Sequence, residues 1–190
     1  MAGTECWRYR PAVLLRSKTA DDEAACVALM RQTHERDGYP RYWPSRPERF
    51  VSPRQETRAW VAEVDGAVVG HVALHEAADH PTMPAAQRAT GLSADRFAVV
   101  ARLMVSPTAQ GRGVGRRLLA AAVDGARQQG RRLVLDVVQE SAAAIAMYES
   151  AGWIRLEPLT LDLNTSASEP LDLAPLQMWV YLAPSAATSA

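Results

Sequence analysis

The chain has 190 residues, a size that fits one domain with a sizeable core, and its 21 basic and 21 acidic side chains cancel to a formal charge of zero. Nothing in that balance points to nucleic acid, an anionic membrane or a strongly acidic partner, and none of these is expected. Apolar residues make up 48% of the chain, yet no run approaches the ~20 residues of a membrane span. Trp7, Arg8, Tyr9 and Arg10 interrupt any secretory apolar segment, so the expected location is cytoplasmic, with no membrane partner. Cys6 and Cys26 are too few and too isolated for a disulfide framework or a metal site, and both read as structural. The basic groups are almost all arginine, with Lys18 the only lysine.

In chain order, residues 12–16 form a short apolar run that predicts a first strand, and the polar stretch 17–22 can cap a helix start. Ala25, Val27, Ala28, Leu29 and Met30 then give helical spacing behind acidic Asp21, Asp22 and Glu23, and the helix is expected to end before Gly38. Residues 37–47 are rich in aromatics and proline and so form an ordered loop. Within it Tyr39, Tyr42 and Trp43 either pack as a lid or line a ligand cavity. Two strands, 58–64 and 67–75, are joined by Asp65-Gly66, the clearest hairpin signal in the chain. His71 and His75 share a face of its second strand, but four residues of strand separate side chains by roughly 13 Å, too far for one zinc ion. His71 reads instead as a strand histidine hydrogen-bonded to a neighbour.

Residues 76–96 carry prolines and little periodicity and read as a long irregular connection. Residues 97–105 form an apolar strand that leads through Ser106-Pro107 into Gln110-Gly111-Arg112-Gly113-Val114-Gly115-Arg116 and then a helix over 114–129, with Val114, Leu118, Ala121, Ala122 and Ala126 as its stripe. A helix N-terminus preceded by glycines is an anion site, because its first N–H groups lack partners and carry the positive end of the dipole. Residues 133–138 read as a strand covered on both faces. Ser141 can cap a helix over 142–151 stopped by Gly152, and a strand starts at 153–156. Residues 159–174 are ambiguous, 177–182 give the last strand and 184–190 a frayed tail, so one domain spans the chain with its core at about 12–182.

Three phosphate motifs compete for the glycines. A P-loop needs Gly-x-x-x-x-Gly-Lys-Ser/Thr, which is absent. A dinucleotide fingerprint gains support from Asp136, about 20 residues on, but Arg116 takes the place of its last glycine, and 106–110 separate strand from glycines. The third pattern, Gln-x-x-Gly-x-Gly, is met by Gln110, Gly113 and Gly115. With it and Ala146-Met147-Tyr148-Glu149-Ser150-Ala151-Gly152-Trp153 downstream, the sequence resembles the GCN5-related N-acetyltransferase (GNAT) family over roughly 13–182.

The resemblance implies an α/β, GNAT-like three-layer fold, with a mixed central sheet of about six or seven strands and helices on both faces. It implies acetyl-CoA as cofactor, held by Leu103, Met104, Val105, Gln110, Gly111, Arg112, Gly113, Val114, Gly115, Arg116, Ser141 and Tyr148, with no metal. A backbone N–H near Val105 would stabilise the developing oxyanion, and Tyr148 would act as general acid toward the departing thiolate. The implied reaction is acetyl transfer to a primary amine of a small molecule or peptide by direct attack in a ternary complex, in a monomer or homodimer. The alternative is a non-catalytic acyl-CoA-binding module. Glu63, His71 and Asp136 are candidates for the general base, and Arg102 stands where related enzymes often have an acid, so it could bind an acceptor carboxylate. With Tyr39 and Trp43, the residues Glu63, His71 and Arg102 complete the candidate acceptor site.

Overall fold

The computed structural model describes residues 12–163 and 173–185. Expectations for Cys6, for most of the ambiguous stretch after 163 and for the tail beyond 185 lie outside the described residues. Seven strands form one sheet in the order β1-β2-β3-β4-β5-β7-β6. They are β1 (Leu14–Ser17), β2 (Glu56–Val64), β3 (Ala67–Glu76), β4 (Phe97–Val105), β5 (Arg132–Val138), β6 (Ile154–Leu161) and β7 (Leu176–Leu182). All neighbouring pairs run antiparallel except β4 and β5. That parallel pair requires a crossover, and helix α4 (Val114–Arg127) supplies it.

Strand alternation sorts the core onto two faces. On one, Trp60, Ala62, Val72, Leu74, Ala98 and Val100 meet Leu118, Leu119 and Ala122 of α4 and Tyr148 of α5 (Ala142–Ser150). On the other, Val61 and Met104 meet Cys26, Leu29 and Met30 of α1 (Glu23–Asp37), with Val51 of α2 (Pro47–Val51), while Phe97, Val99 and Val134 meet α3 (Met83–Thr90). The result is three layers. Helix α4 sits close because two glycines lie beneath or within it: a Cβ at Gly125 would come within 2.5 Å of the Trp60 ring, and one at Gly70 within 2.8 Å of Leu118.

The hairpin, β4 and α4 fall within a few residues of their sequence signals, and α1 ends at Gly38 with φ +68°. Three expectations change. The connection 76–96 is not irregular throughout, since it folds helix α3, started by Pro84 and ended by Gly91 at φ +72°. Its eight residues bury only Met83, Ala85 and Ala86, too short a stripe to declare a period. The first strand begins at Leu14 rather than at residue 12. Ser141 occupies the N-cap of α5, but its side chain makes no capping bond.

Polar anchors fix the sheet edge. Arg16 donates to both carboxylate oxygens of Asp22 at 2.7 Å and to Glu63 at 2.6 Å. Lys18, with a side chain only 7% exposed, donates to Glu56 at 2.8 Å, to the Ser52 hydroxyl at 3.0 Å and to the Val51 carbonyl at 3.1 Å. The Cys26 thiol is buried, and burial pushes it up to about 11, so it stays protonated. No helix among the described residues is long and apolar enough to cross a membrane.

Candidate active site

The parallel pairing of β4 and β5 covers only Phe97–Val99 against Arg132–Val134. Beyond it the strands part, because β5 continues against β7 alone while β4 stays with β3. A cleft of about 1150 Å³ opens between them. Opposite His71 and Ala73, strand β4 carries one residue too many, which makes a bulge, and Arg102 within it has φ +55°. The Ser106 amide donates back to Val69 of β3 at 2.8 Å. Alternation along the extended chain turns the preceding amide, that of Val105, toward the open side.

One wall of the cleft is the glycine loop. Gly111 and Gly113 have φ of +71° and +78°, and the first backbone bond returned into α4 is from the Arg117 amide to Gly113 at 3.1 Å. The amides of the first turn of α4 lack intrahelical acceptors, and they stand at the positive end of the helix dipole. Gly115 serves packing instead, since a Cβ there would lie 3.2 Å from the Met147 sulfur of α5. The loop is held from outside: Gln110 donates to Asp37 at 2.6 Å and to the Val105 carbonyl at 3.4 Å, and Arg116 donates to the Ser150 hydroxyl at 3.0 Å.

Tyr148 projects from α5 into the same cleft, its ring 5.8 Å from Trp153 and 5.9 Å from Tyr181. Burial, with smaller contributions from Tyr39 and Asp136, holds its hydroxyl above the ordinary phenol range. It therefore carries its proton across the working pH range. Leu103, Val105, Ser141 and Tyr148 all line the cleft, as do Met104 and the loop residues Gln110, Gly111, Gly113, Val114, Gly115 and Arg116.

The far face supplies the opposite wall. Asp136 of β5 has Val134 as its same-face neighbour, and its Oδ1 lies 3.7 Å from His80 Nε2. His80 Nδ1 accepts from the Thr82 amide at 3.4 Å, which leaves its proton on Nε2, toward Asp136. Burial raises the Asp136 carboxyl, while His80 and Arg102 draw it back. Arg102 donates through Nε to the Phe50 carbonyl at 3.1 Å, and its guanidinium lies 3.5 Å from the centre of the Phe50 ring.

Several expected acceptor residues lie elsewhere. Glu63 does not line the cleft, because Arg16 engages it on the other side of β2 from the site. Trp43 packs against His34 and beneath Arg31, both of α1, and is likewise outside the lining, whereas Tyr39 and Tyr42 belong to it. His71 is fully buried, and its Nδ1 donates to the Arg102 carbonyl at 2.9 Å, so it supports the bulge rather than the cleft. His80 and Phe50 were not legible as site residues, since no local spacing links them to the glycine loop.

Burial also holds two imidazoles neutral, His71 at about 4 and His75 at about 3, with Nε2 of each left without a partner. The unfolded chain binds the protons that the folded chain refuses, so stability is full above pH ~6.5 and falls as pH drops from there toward 4. Urea midpoints should decline over that window. His71→Asn, which keeps the donor to Arg102, should flatten the decline by an amount on the order of 3 kcal/mol. A midpoint independent of pH across the window would contradict the buried neutral pair.

The sequence model described as the Acetyltransferase (GNAT) family matches residues 27–153. An uncharacterized N-acetyltransferase of Methanocaldococcus jannaschii is 25% identical over 159 residues, which span 80% of this chain but only 65% of that protein's length. Among solved structures, an N-acetyltransferase from Staphylococcus aureus superposes with a TM-score of 0.65 at 18% identity, covering 90% of this chain and 97% of its own. The yncA protein of Salmonella typhimurium, solved with its cofactor acetyl-CoA, gives 0.62 at 18% over 94% and 97%. The ribosomal-protein-S18-alanine N-acetyltransferase of Escherichia coli gives 0.62 at 18% over 94% and 99%.

Proposed function

The chain belongs to the GNAT acetyltransferase family, and from that premise we propose that it transfers the acetyl group of acetyl-CoA to a primary amine of a small molecule or peptide, by direct attack within a ternary complex. The observation that carries this reading is the continuity of one cleft from the glycine loop, through the parted strands, to Tyr148. Acetyl-CoA supplies an activated thioester carbonyl and a thiol leaving group. The residues present fit it. Positive φ at Gly111 and Gly113 lets backbone amides converge on a pyrophosphate, and the unpaired edge of β4 at 103–105 can hydrogen-bond an extended pantetheine arm as an added strand would.

The Val105 amide faces the gap and donates to the oxygen on which negative charge develops. Tyr148 holds its proton and gives it, or a hydrogen bond, to the departing sulfur. On the opposite wall Asp136 takes the proton that an ammonium acceptor must lose, with His80 Nε2–H orienting its carboxylate. Glu63 and His71 do not line the cleft, which favours Asp136 in that role.

The test incubates the protein with acetyl-CoA and a broad panel of amines, following free thiol release alongside calorimetric binding of CoA and NAD. Amine-dependent thiol release is expected. Tight CoA binding without turnover on any amine would favour a non-catalytic acyl-CoA-binding module, and NAD binding without CoA binding would sink the reading.

A further inference from the structure

Arg102 is an unusual occupant of its position. Its backbone takes a left-handed conformation, which costs a non-glycine residue roughly 1 kcal/mol or more, in the middle of a central strand. Two contacts hold it so: the His71 imidazole donates to its carbonyl at 2.9 Å, and its own Nε donates to Phe50 at 3.1 Å. The guanidinium is thereby pinned flat on the Phe50 ring. Both terminal amino groups remain, and no carboxylate pairs with them among the described residues. A half-buried cation in a largely apolar wall is costly without a partner. The planar fork of a pinned guanidinium is shaped for the two oxygens of a carboxylate.

The side on which Arg102 stands decides whose carboxylate that is. Leu103 and Val105 pack with the α4 layer, where the glycine loop lies, whereas Phe50 packs with the α1 layer. Arg102 therefore belongs to the acceptor wall, not to the pyrophosphate wall. Its companions include Asp136, which lies within its electrostatic reach, and Tyr39, Phe50, Leu159 and Met178, while Asp37, Arg41 and Glu140 also line the cleft. His75, also in the lining, is kept neutral by burial and offers no competing charge. Around Arg102 the wall thus combines a pinned cation, the Asp136 carboxylate and an apolar surface.

Resting on the acetyl-transfer reading, we infer that the acceptor is a zwitterion, an amino acid with an apolar side chain, whose carboxylate is taken by Arg102 while its amine is delivered to Asp136 and the thioester. A lone amine would leave the terminal amino groups of Arg102 without a hydrogen-bonded carboxylate, and a strongly cationic acceptor would face them with like charge. The α-amine and carboxylate of an amino acid carry the two charges that Asp136 and Arg102 complement.

The experiment compares kcat/KM for leucine, leucinamide and 3-methylbutylamine, and for the corresponding sets built on phenylalanine and methionine, by thiol release. These share one apolar body and differ in the carboxylate. The free acids are expected to exceed the amides and the plain amines by at least 10-fold, although the amide's less basic amine is the more available nucleophile. Arg102→Gln should erase that ratio by lowering the acids alone, with acetyl-CoA affinity unchanged, and Arg102→Lys should keep an intermediate ratio. Parity between acid and amide in the native protein, an equal loss on all three substrates in Arg102→Gln, or turnover confined to carboxylate-free amines would each overturn the inference and leave acetyl transfer standing. Absence of turnover on every amine would overturn acetyl transfer itself.

Discussion

Tyr148→Phe should lower kcat by about 10²-fold or more while leaving acetyl-CoA affinity unchanged, the signature of a lost general acid. The substitution is clean because the tyrosine ring, not its hydroxyl, makes the packing contacts, to Trp153 and to Tyr181. Phenylalanine fills the same space, so stability should barely move. The raised pKa of the hydroxyl adds a second expectation. Because the proton is retained throughout the accessible range, Tyr148 cannot be the source of any fall in rate below pH ~10, and the native and variant pH profiles should run parallel. Single-turnover thiol release separates chemistry from product release. An unchanged chemical step in Tyr148→Phe would remove it from the acid role.

Gly113→Asp should weaken acetyl-CoA binding by about 10²-fold or more, with a smaller effect on folding. Gly113 sits at the N-cap of α4 with φ +78° and ψ 6°, and no atom lies within 4 Å of where its Cβ would be. Space is thus available, and the left-handed backbone costs any replacement only about 1–2 kcal/mol. The larger effect is charge: a carboxylate at this cap lies against the same free amides that would receive a pyrophosphate, and it repels the ligand besides. Gly113→Asn shares shape and strain without the charge. The gap between Asp and Asn in calorimetric affinity therefore reports electrostatics alone, and it should narrow as salt is added. Equal affinities for the two would place the pyrophosphate elsewhere.

The cofactor half of the site was readable because it is local. Strand, glycines and helix start follow one another from 97 to 127, so periodicity and turn chemistry identify each in place. The Asp65-Gly66 hairpin was equally plain. The acceptor half joins Arg102 of a bulge, Phe50 of a five-residue helix, His80 of a connection and Asp136 of another strand, and nothing in their spacing along the chain brings them together. Trp43 illustrates the converse. Its aromatic, proline-rich surroundings allow either a packed lid or a cavity wall, and the arginine and histidine on α1 that hold it favour packing. The carboxylate of Glu63 was likewise claimed by Arg16, a residue 47 positions earlier that sequence alone did not pair with it. Helix α3 was missed because two of its signals, a proline start and a glycine stop, also mark loops.

The burial of Lys18 has a practical corollary. The only lysine in the sequence is locked to Glu56, Ser52 and Val51 beneath the sheet edge. A folded molecule consequently offers no free side-chain amine to its own donor or to succinimidyl esters. Assays of amine consumption should carry almost no background from the enzyme's lysine, while the same reagents gain access to it only as the edge opens, making lysine labelling a direct reporter of local unfolding there.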